Sequence, residues 1–315
     1  MEFGIYPGGI TGDDEGGLAT GPADDPAEIL AALRDLQGDG PFLVRGYCGF
    51  TDPGRPRTET PQDVERYAGD GRRLDIVVQY QSDSGDVPGY LEFVRGVLHR
   101  HGPAIATLQI TEEPNVAGIA TLDGYYPDVR RALVEGVVAA RAEADRLGLD
   151  DLRVGFNTTP MFGPAAGFLG DLTEFGGRAF VDALGYVGLD FFPDVFMPAP
   201  DPGAATAGLL AMHRDLMTAA GIPAAVPLHV TENGWPTGPG RTPERQAEVL
   251  GAVLDAVVGE SGALGIGAYL HFALRDADSS KDGLFHRFGL LYDDYGRKPA
   301  FDVFRRAVRT VRTPG

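Results

Sequence analysis

Short apolar runs alternate along the chain with longer amphipathic stretches. Eight runs stand out: Glu2–Tyr6, Phe42–Tyr47, Leu74–Tyr80, Ala104–Thr111, Leu152–Asn157, Tyr186–Phe192, Leu228–Thr231 and Ile266–Phe272. They are rich in Val, Ile, Leu, Phe and Tyr, and several are nearly unbroken, which suits parallel strands covered on both faces. The stretches between them carry helix signals. Asp25-Pro26-Ala27-Glu28 offers a capping carboxylate, a proline suited to the first turn and an acid at the positive end of the dipole. The stripe Ile29, Leu30, Leu33, Leu36 follows at helical spacing. Thr60-Pro61-Gln62-Asp63 and Thr242-Pro243-Glu244-Arg245 predict two further helix starts by a shared Thr-Pro device. Pro127–Leu147 is the longest predicted helix, with Val129, Leu133, Val137, Ala140, Ala144 and Leu147 on one side. Lys298-Pro299-Ala300-Phe301 opens the last, with Phe301, Phe304 and Val308 facing inward.

Strand–helix alternation repeated eight times predicts an α/β fold of the closed (β/α)₈ TIM-barrel type, a single domain over residues 1–315. The competitor, a doubly wound open sheet, usually has a glycine-rich phosphate turn after its first strand. Here that turn reads Pro7-Gly8-Gly9-Ile10-Thr11-Gly12, which lacks the Gly-x-Gly-x-x-Gly spacing. Segments 51–61 and 198–206, rich in Pro and Gly, read as loops between units.

Composition narrows the partners. Apolar residues make up 43% of the chain and charged residues 23%, ordinary globular usage. The formal charge of −18 argues against nucleic acid and anionic membrane, which require a basic footprint, and more weakly against an acidic polysaccharide. One cysteine, Cys48, excludes an internal disulfide and a thiol metal cluster, and its place in an apolar run reads as core. No charged and then apolar leader opens the chain, and no run approaches the roughly 20 apolar residues of a membrane span. A cytoplasmic protein is expected, unless a signal segment has been removed. Oligomeric state is not legible.

Barrel chemistry gathers at the C-terminal ends of the strands. Those ends read Tyr6; Arg45 and Tyr47; Gln79 and Gln81; Thr111-Glu112-Glu113-Pro114-Asn115; Asn157; Phe191-Phe192-Pro193-Asp194; Thr231-Glu232-Asn233-Gly234-Trp235-Pro236; and His271 with Phe272. Carboxylates follow strands four and seven directly. A retaining glycosidase needs such a pair, one ionised to attack the anomeric carbon and one protonated for the leaving oxygen, about 5–5.5 Å apart. Rim carboxylates paired with arginine are the bland alternative. No His/Cys cluster marks a metal site and no cofactor motif is present, so none is expected. Arg275–Gly283 resembles a calcium loop only loosely and reads as a long loop near the site.

These motifs, taken in order, resemble the large clan of retaining (β/α)₈ glycoside hydrolases. Glu113-Pro114 is similar to the clan's Asn-Glu-Pro after strand four. Thr231-Glu232-Asn233-Gly234-Trp235-Pro236 resembles the nucleophile region of its β-glucosidase and β-1,3-glucanase families. Phe288–Phe301, with Gly-Leu-Leu and Lys-Pro-Ala, looks like the clan's closing segment. The resemblance implies a carbohydrate substrate that is neutral and β-linked, Glu232 as nucleophile and Glu113 as acid/base. Arg45 is then expected to hold Glu232 ionised, while Gln79, Gln81, Asn157, Trp235, His271 and Phe272 bind sugar.

Three departures follow. Glu112 stands where the clan has Asn for the sugar 2-hydroxyl; a carboxylate can also accept from a hydroxyl, so Glu112 is expected to bind sugar, while it adds a third carboxylate and leaves open that Glu112 itself is the acid. Phe191 and Phe192 occupy the corner where the clan often has a Tyr touching the nucleophile, so that hydroxyl is missing. Strand eight lacks the clan's Trp platform, leaving Phe272 or Trp235 to stack; Trp235 equally suits a plug in the rim, and His271 a satisfied interior position. A catalytically silent sugar-binding barrel is the alternative these departures suggest.

Overall fold

A computed structural model describes residues 1–13 and 15–310. All eight expected strands form: β1 (Glu2–Ile5), β2 (Phe42–Thr51), β3 (Arg72–Gln81), β4 (Ile105–Ile110), β5 (Arg153–Thr158), β6 (Tyr186–Asp190), β7 (Leu228–Asn233) and β8 (Ile266–His271). Each pairs in parallel with its chain neighbours, and β1 pairs with both β8 and β2, so the sheet closes into a barrel. The helices are α1 (Pro26–Gln37), α2 (Val87–His101), α3 (Val129–Arg146), α4 (Phe168–Ala183), α5 (Pro202–Ala219), α6 (Pro243–Leu264) and α7 (Pro299–Thr310). No described helix is long and apolar enough to cross a membrane.

Local signals act as the chemistry requires. The Asp25 carboxylate accepts from Ala27 N at 2.8 Å to cap α1, and Thr242 Oγ1 accepts from Arg245 N at 3.2 Å to cap α6. The inward stripe of α7, Phe301, Phe304 and Val308, is fully buried. Cys48 is buried in the main core.

The second Thr-Pro site behaves otherwise. No α-helix follows β2; the chain makes only a 3₁₀ turn over Val64–Tyr67. Thr60 Oγ1, the expected cap, is hydrogen-bonded to the Tyr6 hydroxyl at 2.6 Å. Asp63, Gly69, Asp70 and Gly71 all take positive φ, so the short return to β3 has no room for regular helix.

Inside the barrel the side chains form levels. Leu43, Ala106, Ala268 and Leu270 fill the base. Tyr6, Tyr47, Val77 and Ala273 pack together nearer the mouth. Between them the filling is polar and buried, with Arg45, Asp75, Thr107 and Gln109. A charge in such a layer requires bonded partners.

Candidate active site

Arg45 sits at the centre of that polar layer, 1% exposed. Its Nη1 donates to Asp75 Oδ2 at 2.7 Å, Nη2 to Gln109 Oε1 at 2.8 Å and Nε to the Tyr47 hydroxyl at 2.9 Å. Glu112 lies 3.6 Å and Glu232 3.7 Å from the same guanidinium. The direct hydrogen bond to Glu232 Oε1 comes from the Tyr47 hydroxyl and not from Arg45. Tyr47 on β2 thus supplies the hydroxyl missing from the Phe191–Phe192 corner.

Glu232 faces inward because β7 breaks step. Val230 pairs with Leu189 and Tyr269, but the next pairs are Glu232 with Asp190 and Asn233 with His271. One extra residue is accommodated against both neighbours, a bulge that re-aims the chain. Thr231 and Glu232 therefore both reach interior partners: Thr231 Oγ1 donates to Asp190 Oδ1 and Glu232 accepts from Tyr47. Gly188 makes this possible, since a Cβ there would lie 2.5 Å from Thr231 Oγ1.

The segment after β4 is held in strained backbone, with φ of 66° at Thr111 and 43° at Glu113. A buried Asp123 clamps it. Its Oδ2 accepts from Tyr80 N at 2.6 Å and from Glu112 N at 2.8 Å. The Asn157 carbonyl accepts from Glu113 N at 2.9 Å, while its amide nitrogen donates to Glu112 Oε1 at 3.1 Å and to Asp190 Oδ2. Glu112 Oε2 accepts from Gln109 Nε2 at 2.7 Å. Both Glu112 oxygens are engaged below the mouth, whereas Glu113 is half-buried and no hydrogen bond reaches its carboxyl among the described residues.

One guanidinium thus faces Asp75, Glu112, Glu113, Asp190 and Glu232. Burial pushes Glu232 up to about 8, reinforced by the Glu112 charge and opposed by Arg45 and the Tyr47 hydrogen bond. Burial, then Glu112 and Glu232, push Glu113 well above the usual carboxyl range. Glu112 and Asp190 are raised well above their usual values by burial first and by neighbouring carboxylates next. Oxygens of Glu112, Glu113 and Asp190 lie within 4.8 Å of one another, the described residues placed to hold a cation.

Phe272 faces the mouth, its ring stacked on Tyr6 at 5.3 Å. Gln79 is half-buried on the same face of β3 as Asp75 and Val77, and Gln81 donates its amide to Thr121 O at 3.2 Å at the rim. Three expectations are corrected. His271 points outward to the helix layer, its ring 5.4 Å from Phe304, because strand alternation turns Leu270 inward and His271 away; burial lowers it to about 3. Trp235 is 4% exposed, donates to Asp194 O at 3.3 Å and lies under the Arg241 guanidinium, so it plugs the rim and offers no platform. Asn157, with every polar atom bonded to protein, positions the acidic segment and leaves no free amide for a sugar. In the loop after β8, the Asp276 carboxylate is taken by Lys298 at 2.7 Å, Gly289 N and Ser279 Oγ, which makes it a structural clasp.

Asp75, Gln109, Asp123 and Asp190 carried no assignment from sequence. Asp75 and Asp190 had a signal, a charge inside an otherwise apolar strand run. Asp123 opens a short 3₁₀ turn between β4 and α3 and carries no local mark.

The chain is similar in structure to the glucosidase from Croceicoccus marinus (TM-score 0.66, 15% identity, 99% of this chain and 70% of that one). It is also similar to two plant beta-glucan endohydrolases with distinct substrate specificities (0.63, 15%, 92% and 98%). Against the beta-glucuronidase of Bifidobacterium dentium complexed with coumarin-3-O-glucuronide the values are 0.61 and 14%, with 100% of this chain covering 47% of that one, so the chain spans about half its length. At these identities the likeness shows the shared (β/α)₈ fold. No protein-family model and no curated protein sequence matches the chain.

Proposed function

We propose that the chain is a retaining glycoside hydrolase acting on β-linked neutral glycosides or glycans, with Glu232 as nucleophile and Glu113 as acid/base. The observation that carries this reading is the unequal treatment of two carboxyls at the same end of the barrel, buried Glu232 and half-buried Glu113. Burial and the Glu112 charge push Glu232 up to about 8, while a guanidinium and a phenol oppose them and favour its ionised form. Among the described residues no donor reaches the Glu113 carboxyl, and burial, then the charges of Glu112 and Glu232, push it well above the usual carboxyl range. Paired carboxyls whose environments separate their proton affinities are what a double displacement requires. The fold relatives act on sugars by the words of their own descriptions, which is consistent with this chemistry.

In the first step Glu232 attacks the anomeric carbon as the glycosidic C–O bond breaks, and the leaving oxygen takes the Glu113 proton. Glu113, now a base, removes a proton from water, which releases the sugar and restores both groups. Activated 2-deoxy-2-fluoro glycosides of glucose, galactose and glucuronic acid test this directly, because they stall at the glycosyl-enzyme. Added mass on a peptide containing Glu232 is expected with one of them. Absence of labelling from every sugar, with sugar still bound, would support a silent carbohydrate-binding barrel instead.

Tyr47→Phe checks the support of the nucleophile. A hydrogen bond to a charged group contributes about 1.5–3 kcal/mol, so kcat is expected to fall roughly 10- to 100-fold. Tyr47 donates to the carboxylate and thereby lowers its pKa. Removing the hydroxyl raises Glu232 further, and the acid limb of the pH–rate profile, where the nucleophile gains its proton, moves to higher pH. An unmoved limb would show that Tyr47 only packs.

A further inference from the structure

We infer that Asp123 is a positioning residue for the acid/base, holding the turn after β4 and so setting the direction of the Glu113 carboxyl; the inference rests on the glycosidase reading above. Asp123 opens the 3₁₀ turn Asp123–Tyr125 and is fully buried. It therefore touches no substrate and acts only through the backbone it holds. Three hydrogen bonds define that hold. Its Oδ2 accepts from Glu112 N at 2.8 Å and from Tyr80 N at 2.6 Å, and its own N–H donates to Glu112 O at 2.9 Å. One residue thus fixes both peptide groups that flank the Glu112 Cα.

The sheet explains why an acceptor is needed there. β3 and β4 stay in register up to Val78 with Ile110, and Thr111 N then donates to Val78 O at 3.0 Å. Tyr80 N is the next donor on that edge of β3, because backbone groups two residues apart face the same neighbour. β4 has left the ladder by then, and the Asp123 oxygen takes the rung. The same oxygen grips the departing chain at Glu112 N. The residues on either side of this grip, Thr111 and Glu113, sit at φ of 66° and 43°. Such backbone is disfavoured for residues with a side chain, most of all for a β-branched threonine, and persists only where its surroundings impose it. On the other side Asn157 Oδ1 accepts from Glu113 N at 2.9 Å, and Asn115 Nδ2 donates to Thr159 Oγ1 at 2.8 Å. Glu113 is therefore held between β3, through Asp123, and β5, through Asn157. Without the Asp123 oxygen, Thr111 and Glu112 are free to relax toward ordinary φ, and the Glu113 carboxyl moves with them.

The test compares Asp123→Ala, Asp123→Ser and Asp123→Asn on alkyl and dinitrophenyl glycosides of whichever sugar labels Glu232. Misplacing a catalytic group by about 1 Å costs on the order of 100-fold, so Asp123→Ala should lose about that factor on the alkyl glycoside. Labelling of Glu232 by the 2-deoxy-2-fluoro dinitrophenyl glycoside reports the first step alone. It should change by less than about threefold, because that leaving group needs no proton. Azide, a nucleophile that needs no base, should speed turnover of the dinitrophenyl glycoside in Asp123→Ala and not in wild type. Asp123→Asn should recover all but about fivefold of the alkyl rate, since its amide oxygen can accept from both N–H groups, though more weakly than a carboxylate. Its nitrogen replaces Oδ1, which has no partner among the described residues. Asp123→Ser keeps a shorter acceptor, should fall between the other two, and serves if Asp123→Ala does not fold. An Asp123 that only stabilises the fold would give losses alike for both leaving groups and no response to azide. That outcome, or an alkyl rate untouched in Asp123→Ala and Asp123→Ser, overturns the positioning role while the glycosidase stands. A wild type that no sugar labels overturns the glycosidase reading itself, and the positioning role with it.

Discussion

Arg45→Met is expected to cost about 3–5 kcal/mol of stability and on the order of 10 °C in Tm. Arg45 is fully buried and lies within 4 Å of the carboxylates of Asp75, Glu112 and Glu232. Methionine fills much of the volume, so little of the loss comes from packing. It comes from stranding Asp75, whose Oδ2 loses its 2.7 Å partner, and from the unopposed repulsion of Glu112 and Glu232. The sign with pH follows from the same contacts. Arg45 lowers the pKa of Glu112 and Glu232, so its contribution is present where those groups are ionised and is lost as pH falls and they protonate. The gap in Tm between wild type and variant should therefore be widest at alkaline pH and shrink in acid. A gap independent of pH, in a variant whose circular dichroism is unchanged, would show that packing and not charge is what Arg45 provides.

The barrel was legible because its strands are buried on both faces and read as largely apolar runs, a pattern that survives any uncertainty about their ends. The missing helix after β2 was not legible. Thr60-Pro61 reads like Thr242-Pro243 locally, but the Thr60 hydroxyl is claimed by Tyr6, a residue 54 positions away. The same limit applies at the site. Glu113 and Glu232 could be named from strand ends, yet the bulge that turns Glu232 inward is a relation between three strands and has no mark on one. His271 was misplaced for want of its alternation phase. Trp235 was misplaced because a ring beside the strand end that carries Glu232 suits a platform and a plug equally until the Arg241 loop is seen folded over it. The absent hydroxyl at Phe191–Phe192 is supplied by Tyr47, from a strand on another side of the barrel. Composition cannot show that kind of compensation, because only the closed ring of strands brings β2 to face β7.

Glu113→Ala and Glu112→Ala separate the two adjacent acids by how their defects depend on the leaving group. General acid catalysis contributes about 10²–10⁴-fold, and an alcohol of high pKa needs all of it. Glu113→Ala should lose roughly that factor on alkyl glycosides. The first step should be nearly spared for a dinitrophenyl glycoside, whose leaving oxygen needs no proton. Glu112 plays a different part. Its oxygens are bound by Asn157 and Gln109, with Arg45 at 3.6 Å, and its charge raises both Glu113 and Glu232. Removing it lets both carboxyls ionise more easily, so the whole pH–rate profile of Glu112→Ala should move to lower pH. Its losses should be alike for alkyl and dinitrophenyl leaving groups, since no proton to the substrate has been removed. The reverse pattern, with leaving-group dependence in Glu112→Ala and a shifted profile in Glu113→Ala, would make Glu112 the acid. The strained backbone at Glu113 would then serve only to turn Glu112 toward the bond.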